Sequence, residues 1–245
     1  MHRFRRFVKE DLSLTLQYHD ELNPLIWDEK DEMKEKVRRR LLEIGKMWAE
    51  FAHIPEDAIR DIVLTGGNAN YNYTPYSDLD IHLMVNMAKL PIKGEILSDY
   101  LYDKKLLWTY KYQGLTVMGY PVELYAQDYR DKAASHQGVY SLQNGKWLYK
   151  PNHENHPAFH KDTALVAKIE DYIKMIEKVL SEPGDHAAEI SKLKEKLHAM
   201  RSAGIQQAGE FSNENLTYKE LRNRGYVDKL NDYLTKKRIS QLSLY

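Results

Sequence analysis

The sequence contains no cysteine. Disulfides and thiolate-held zinc are therefore excluded, and the composition suits a cytoplasmic protein. Net charge is lacking as well, because 36 Lys and Arg balance 36 Asp and Glu. No global basic field draws in nucleic acid non-specifically, so any such contact needs a local patch. No apolar run approaches the roughly 20 residues that a membrane helix requires. The leading residues MHRFRRFVKE are basic but lack the apolar region of a signal peptide. Tyrosine is plentiful, at 18 of 245 residues. It offers stacking surfaces for bases, although core and rim positions are its commoner use.

The stretch DIVLTGGNANYNYTPYSDLDIHLMV, residues 61–85, organises the rest. The run Ile62-Val63-Leu64 leads through Thr65 into Gly66-Gly67 and reads as a buried strand. After the turn Thr74-Pro75-Tyr76-Ser77 a second strand begins. Alternation places Asp78, Asp80 and His82 on one face and Leu79, Ile81 and Leu83 on the other. Two carboxylates one strand repeat apart repel each other, and a divalent cation relieves the repulsion. Hard oxygen donors of this kind suit Mg²⁺ or Mn²⁺.

Elsewhere the pattern is mostly helical. Arg3, Arg5 and Arg6 flank Phe4, Phe7 and Val8 in a basic segment that reads as a solvated tail or short strand. An amphipathic helix is expected over about 28–52, capped by Asp28 and carrying Met33, Val37, Leu41, Ile44, Trp48 and Phe51. A second is expected from Glu95 to about Tyr112, stopped by Gly114. A hairpin follows, with Leu115–Val117 paired to Val122–Tyr125. It contains Glu123, an isolated acid in an apolar run whose partner on the same face is Tyr125. A smaller hairpin is expected around Asn144-Gly145. His153, His156 and His160 lack a ligand spacing and read as a polar linker. From residue 158 the character is helical only. Stripes at Val166, Ile169, Ile173, Ile176 and Leu180, then at Ile190, Leu193, Leu197 and Met200, imply an antiparallel helix pair. Asn215 or Thr217 would cap a further helix that Gly225 interrupts. The expected division is therefore 1–157 and 158–245.

The ordered set Thr65-Gly66-Gly67, Asp78-Leu79-Asp80-Ile81 and Val122-Glu123-Leu124 resembles the nucleotidyltransferase superfamily, which includes DNA polymerase beta, poly(A) polymerases and aminoglycoside nucleotidyltransferases. The words GGNANYNYTPYSDLDIHL, YPVELYAQD, GVYSLQNGKWL and ENLTYKELRNRG look like nucleotidyltransferase-like proteins of tailed bacteriophages. That likeness runs from Asn23-Pro24 to the C-terminus, whereas the superfamily motif covers about 61–125. Gly-Gly or Asp-x-Asp alone is weak; their order with the third acid is specific.

The resemblance implies an α+β fold: a mixed-sheet catalytic domain with an N-terminal helix, then a helical C-terminal domain. It implies a metal-dependent enzyme that moves a nucleoside monophosphate from a nucleoside triphosphate such as ATP to an acceptor, releasing pyrophosphate. The acceptor (RNA, a protein or a small molecule) is left open, and so is the oligomeric state. No membrane partner is expected, and a phage-encoded protein would work in the host cytoplasm. Asp78, Asp80 and Glu123 are then catalytic metal ligands. Gly66 and Gly67 admit the triphosphate to the backbone. The chain departs from the family pattern at Thr65, where a hydrophobic residue is usual, and at Gly67, where serine is frequent. Thr65 and Ser77 are candidates to supply the missing hydroxyl. His82 is placed to touch nucleotide or a carboxylate, or to support a ligand from behind. Lys104 and Lys105 would either reach phosphate or form a solvated helix face. Taken singly, the acids have ordinary readings too: Asp78 as a turn cap, Asp80 and Glu123 as lysine partners. A different class of function also fits, a phage factor that binds nucleotide or nucleic acid without turnover and engages a host component.

Overall fold

The structure is a computed structural model that describes residues 13–131, 137–153 and 159–244. The basic segment around Arg3, Arg5 and Arg6 lies outside the described residues, as does His156. The chain forms two compact units, Tyr18–His156 and a second made of Met1–Gln17 with Pro157–Tyr245.

The first unit is built on a six-stranded mixed sheet of order β3-β4-β2-β1-β5-β6. The strands are β1 (Ile59–Thr65), β2 (Leu79–Val85), β3 (Thr116–Val117), β4 (Tyr120–Asp128), β5 (Val139–Ser141) and β6 (Lys146–Tyr149). Helix α1 (Glu35–Phe51) precedes β1, and α2 (Gly94–Lys111) connects β2 to the β3–β4 hairpin. The α+β class with a mixed sheet is as expected. Strand β2 pairs antiparallel with β1 and parallel with β4. Parallel neighbours need a crossover, and α2 supplies it.

The sheet is laid down by alternation. In β2, Leu79, Ile81, Leu83 and Val85 are all buried, and the residues between them are half-buried. The buried set meets Leu41, Ile44 and Trp48 of α1 in one core with Ile62 and Leu64 of β1. A half-buried strand reads as period two in the sequence, and here β2 also does so in space.

Helix α1 begins later than the sequence implies. Asp28 does not cap it; the Asp28 carboxylate accepts from the N–H groups of Lys30 and Glu32, both at 2.9 Å, and closes a local turn. Trp27 and Met33 then pair as an isolated bridge, and the Trp27 indole donates to the Asn68 carbonyl at 2.8 Å. Those bonds tie residues 27–33 to the glycine turn and hold them out of the helix, although Met33 is buried as its periodicity suggested.

The second unit is helical: α3 (Thr163–Ser181), α4 (Ala187–Ala208), α5 (Asn213–Asn223) and α6 (Tyr226–Leu242). Its core gathers Tyr172, Ile176 and Val179 with Ile190, Leu193, Leu197, Leu221 and Leu230. The buried stripe of α3 keeps Ile169 and Ile176 of the sequence reading but otherwise runs through Leu165, Tyr172 and Val179, one position before the expected Val166, Ile173 and Leu180, which are only partly buried. The cap of α5 is Ser212, whose hydroxyl accepts from the Asn215 N–H at 3.3 Å. Asn215 and Thr217 are instead buried within the helix, and the Thr217 hydroxyl donates back to the Asn213 carbonyl.

Residues 13–17 group with this helical unit rather than with the sheet. The cause is Glu220, fully buried in α5. Its carboxylate accepts from the Thr15 N–H at 3.0 Å, the Thr15 hydroxyl at 2.7 Å and Arg224 Nε at 2.7 Å. A buried charge is tolerable only when so satisfied. Glu220→Ala is expected to cost about 2–3 kcal/mol of stability by leaving Arg224 and Thr15 without their acceptor. Denaturant unfolding followed by the helical signal checks this; a loss below about 0.5 kcal/mol contradicts the assignment.

Candidate active site

The acids converge. One carboxylate oxygen each from Asp78, Asp80 and Glu123 lies within 4.8 Å of the other two. Register explains how. Asp80 sits opposite Glu123 in the parallel β2–β4 ladder and opposite Thr65 in the antiparallel β1–β2 ladder. Asp78 lies just ahead of β2, where the Asn68 side-chain amide donates to its carbonyl at 2.9 Å. Asn68 is itself buried and accepts from the Asn23 amide at 2.7 Å. This asparagine relay fixes the approach to the first acid and was not singled out in the sequence. Its signal was the run NANYN, polar residues in a turn that turned out to be buried.

The glycine turn is moulded around the acids. Gly66 adopts φ 77°, a left-handed region that favours glycine, and a Cβ there would stand 1.8 Å from Asp80 Oδ2. A Cβ on Gly67 would meet the Ser77 hydroxyl oxygen at 3.1 Å. The Asn70 amide donates to the Gly66 carbonyl at 2.6 Å, and its oxygen accepts from the Gly138 N–H at 2.9 Å. Thr65 donates its hydroxyl to the Gly138 carbonyl at 3.2 Å, and Ser77 accepts from the Thr74 N–H at 2.9 Å. Both hydroxyl candidates are therefore built into the turn.

Around Glu123 the surroundings are specific. The Tyr125 hydroxyl donates to Glu123 Oε2, and Lys105 Nζ lies 3.2 Å from the same oxygen. The Lys105 ammonium also stands 3.6 Å from the centre of the Tyr125 ring. Burial, then the hydrogen bond to Glu123, pushes the Tyr125 phenol well above its ordinary value, so it stays a donor. The lysine partnership allowed for Glu123 is thus present, and it coexists with the acidic cluster. Lys104 is not the residue that meets it. Its ammonium packs over the rings of Phe51 and Tyr100 at 5.1 and 5.3 Å.

His82 continues the polar face as expected. Its ring lies 5.0 Å from that of Tyr125, and Nδ1 is hydrogen-bonded to the Gln127 side chain. Burial lowers its pKa, and the Lys105 charge pushes the same way against the Gln127 bond. The imidazole backs the Tyr125 ring.

No protein-family model matches the chain, and no curated protein matches it. Among solved structures, the chain is similar to a STING-associated CdnE c-di-GMP synthase from Capnocytophaga granulosa, at 11% identity over 84% of this chain and 83% of that one, with a TM-score of 0.21. A likeness that loose defines no shared chemistry. Among the described residues, no helix is long and apolar enough to cross a membrane.

Proposed function

We propose that the chain is a divalent-metal-dependent nucleotidyltransferase. It would move a nucleoside monophosphate from a nucleoside triphosphate to an acceptor and release pyrophosphate. The observation that carries this reading is the meeting of Asp78, Asp80 and Glu123 oxygens within 4.8 Å beside the Gly66-Gly67 turn. The sequence resemblance to the superfamily, and to its phage-encoded members, points the same way.

The residues fit the ion. All three donors are hard oxygens, and the cradle is so close that a single Cβ at Gly66 would collide with Asp80. Asp78, Asp80 and Glu123 would hold Mg²⁺ or Mn²⁺. When bound, that ion supplies charge neutralisation at the phosphoryl oxygens and favours the deprotonated acceptor. The chain's own share is positional. Asn68 fixes the backbone of Asp78, and the Tyr125 hydroxyl holds Glu123 through Oε2. The bare surface of Gly66-Gly67 lets a polyphosphate come close to the main chain without side-chain obstruction. Ser77, Thr65 and His82 serve that turn and the floor beneath it.

The direct test supplies each α-labelled nucleoside triphosphate with Mg²⁺ or Mn²⁺ and a cell lysate, then follows label and pyrophosphate. Metal-dependent release of pyrophosphate, with label moved onto a macromolecule or metabolite, is the expected result. Tight nucleotide binding with no product across RNA, protein and small-molecule acceptors would instead mark a binding factor.

A further inference from the structure

The acidic cluster carries its own cation. Lys105 projects from α2, the crossover helix between β2 and β4, and reaches Glu123 Oε2 at 3.2 Å. Its side chain is 22% exposed, so it is not a freely solvated surface lysine. The ring of Tyr125 lies beneath the ammonium at 3.6 Å, and the Tyr125 hydroxyl bonds the same carboxylate oxygen. An aromatic face below and a carboxylate ahead fix the ammonium against Glu123. The neighbouring Lys104 carries the same charge but packs on Phe51 and Tyr100.

We infer that Lys105 is a built-in counter-ion for the acidic cluster, one that a divalent ion must displace from Glu123 to bind fully. This rests on the metal-binding reading of the three acids. Two cations cannot share one carboxylate oxygen at close range without strong repulsion, and a partly buried site screens it less than open water does. The ammonium therefore lowers the affinity of the free ion. Before loading, it offsets the charge of Glu123.

The test measures Mn²⁺ alone, without nucleotide, by the loss of the free-ion electron paramagnetic resonance signal. Lys105→Met keeps the length and helix propensity of the side chain and removes the charge. It is expected to bind Mn²⁺ about tenfold more tightly than the wild type. Lys105→Arg should bind like the wild type. Lys104→Met, with the same change in net charge one position away, should shift affinity less than about twofold. Thermal melts without metal confirm that each variant is folded, and Lys105→Met should gain more thermal stability on adding Mn²⁺ than the wild type does. Equal Mn²⁺ affinity in wild type and Lys105→Met would overturn the inference. So would weaker binding in Lys105→Met, or an equal gain in Lys104→Met; in these cases the metal reading stands. Absence of Mn²⁺ binding in every protein would overturn the metal reading itself, and the inference with it.

Discussion

An Asp80→Asn protein is expected to fold normally and to lose the proposed nucleotidyl transfer by about a thousandfold or more. Asp80 is the central member of the cluster. It stands between Thr65 on one neighbouring strand and Glu123 on the other. The amide is nearly isosteric, so the sheet and its buried partners Leu79 and Ile81 are undisturbed. What is lost is a negative charge among three converging oxygens. Charge stabilisation by a bound ion contributes several kcal/mol to a phosphoryl-transfer barrier. Each 1.4 kcal/mol or so is a factor of ten in rate, which sets the expected loss. Pyrophosphate release and Mn²⁺ binding should fall together, with the melting temperature held or raised by relief of carboxylate repulsion. Turnover within tenfold of the wild type would remove Asp80 from the site.

Gly66→Ala should be nearly as damaging, although it changes no charge. Its Cβ would fall 1.8 Å from Asp80 Oδ2, well inside contact distance, while φ 77°, ψ −166° is a conformation essentially confined to glycine, costing alanine on the order of 1–3 kcal/mol. Either the turn opens or the Asp80 carboxylate rotates away, and both dismantle the cluster. Transfer is expected to drop at least a hundredfold, with Mn²⁺ affinity falling in parallel. Gly67→Ala is the internal contrast. Its tightest contact is the Ser77 hydroxyl oxygen, at 3.1 Å, so a shift of a few tenths of an ångström accommodates it. It should chiefly raise the KM for nucleotide. If Gly66→Ala retains wild-type metal binding, the moulded turn is not what holds Asp80 in place.

The acids and glycines could be read from the sequence because strand periodicity and residue chemistry coincide there. Leu79, Ile81 and Leu83 point one way, which forces Asp78, Asp80 and His82 the other, and Tyr125 follows Glu123 by the same rule. The parallel pairing of β2 with β4 was not legible. Nothing local records which strands become neighbours after a crossover, yet that pairing is what sets Asp80 beside Glu123. Choosing between Lys104 and Lys105 was likewise out of reach. A single helical step of about 100° separates a ring-packed lysine from one aimed at the cluster. The start of α1 was misplaced because its acidic, cap-like prelude is captured by tertiary bonds. Trp27 to Asn68 and Asp28 to Glu32 outcompete a helix that local propensity alone would extend. At Ser212 the winner was local instead: its hydroxyl stands just ahead of the first turn and accepts from the Asn215 N–H, whereas Asn215 and Thr217 already lie inside the helix.

The bond from Thr15 to Glu220 has a consequence for the order of events during synthesis. The stretch from Tyr18 to His156 is an insertion within the helical unit, which opens with residues before it and closes with residues after it. On an emerging chain, the sheet unit has all its strands available once β6 has been made. The helical unit must wait until α5 presents Glu220 to a segment translated some two hundred residues earlier, a separation of 205 positions. A fragment cut at the junction near residue 157 would therefore strand a buried carboxylate in the shorter piece, while the sheet unit with its acidic cluster stays contiguous.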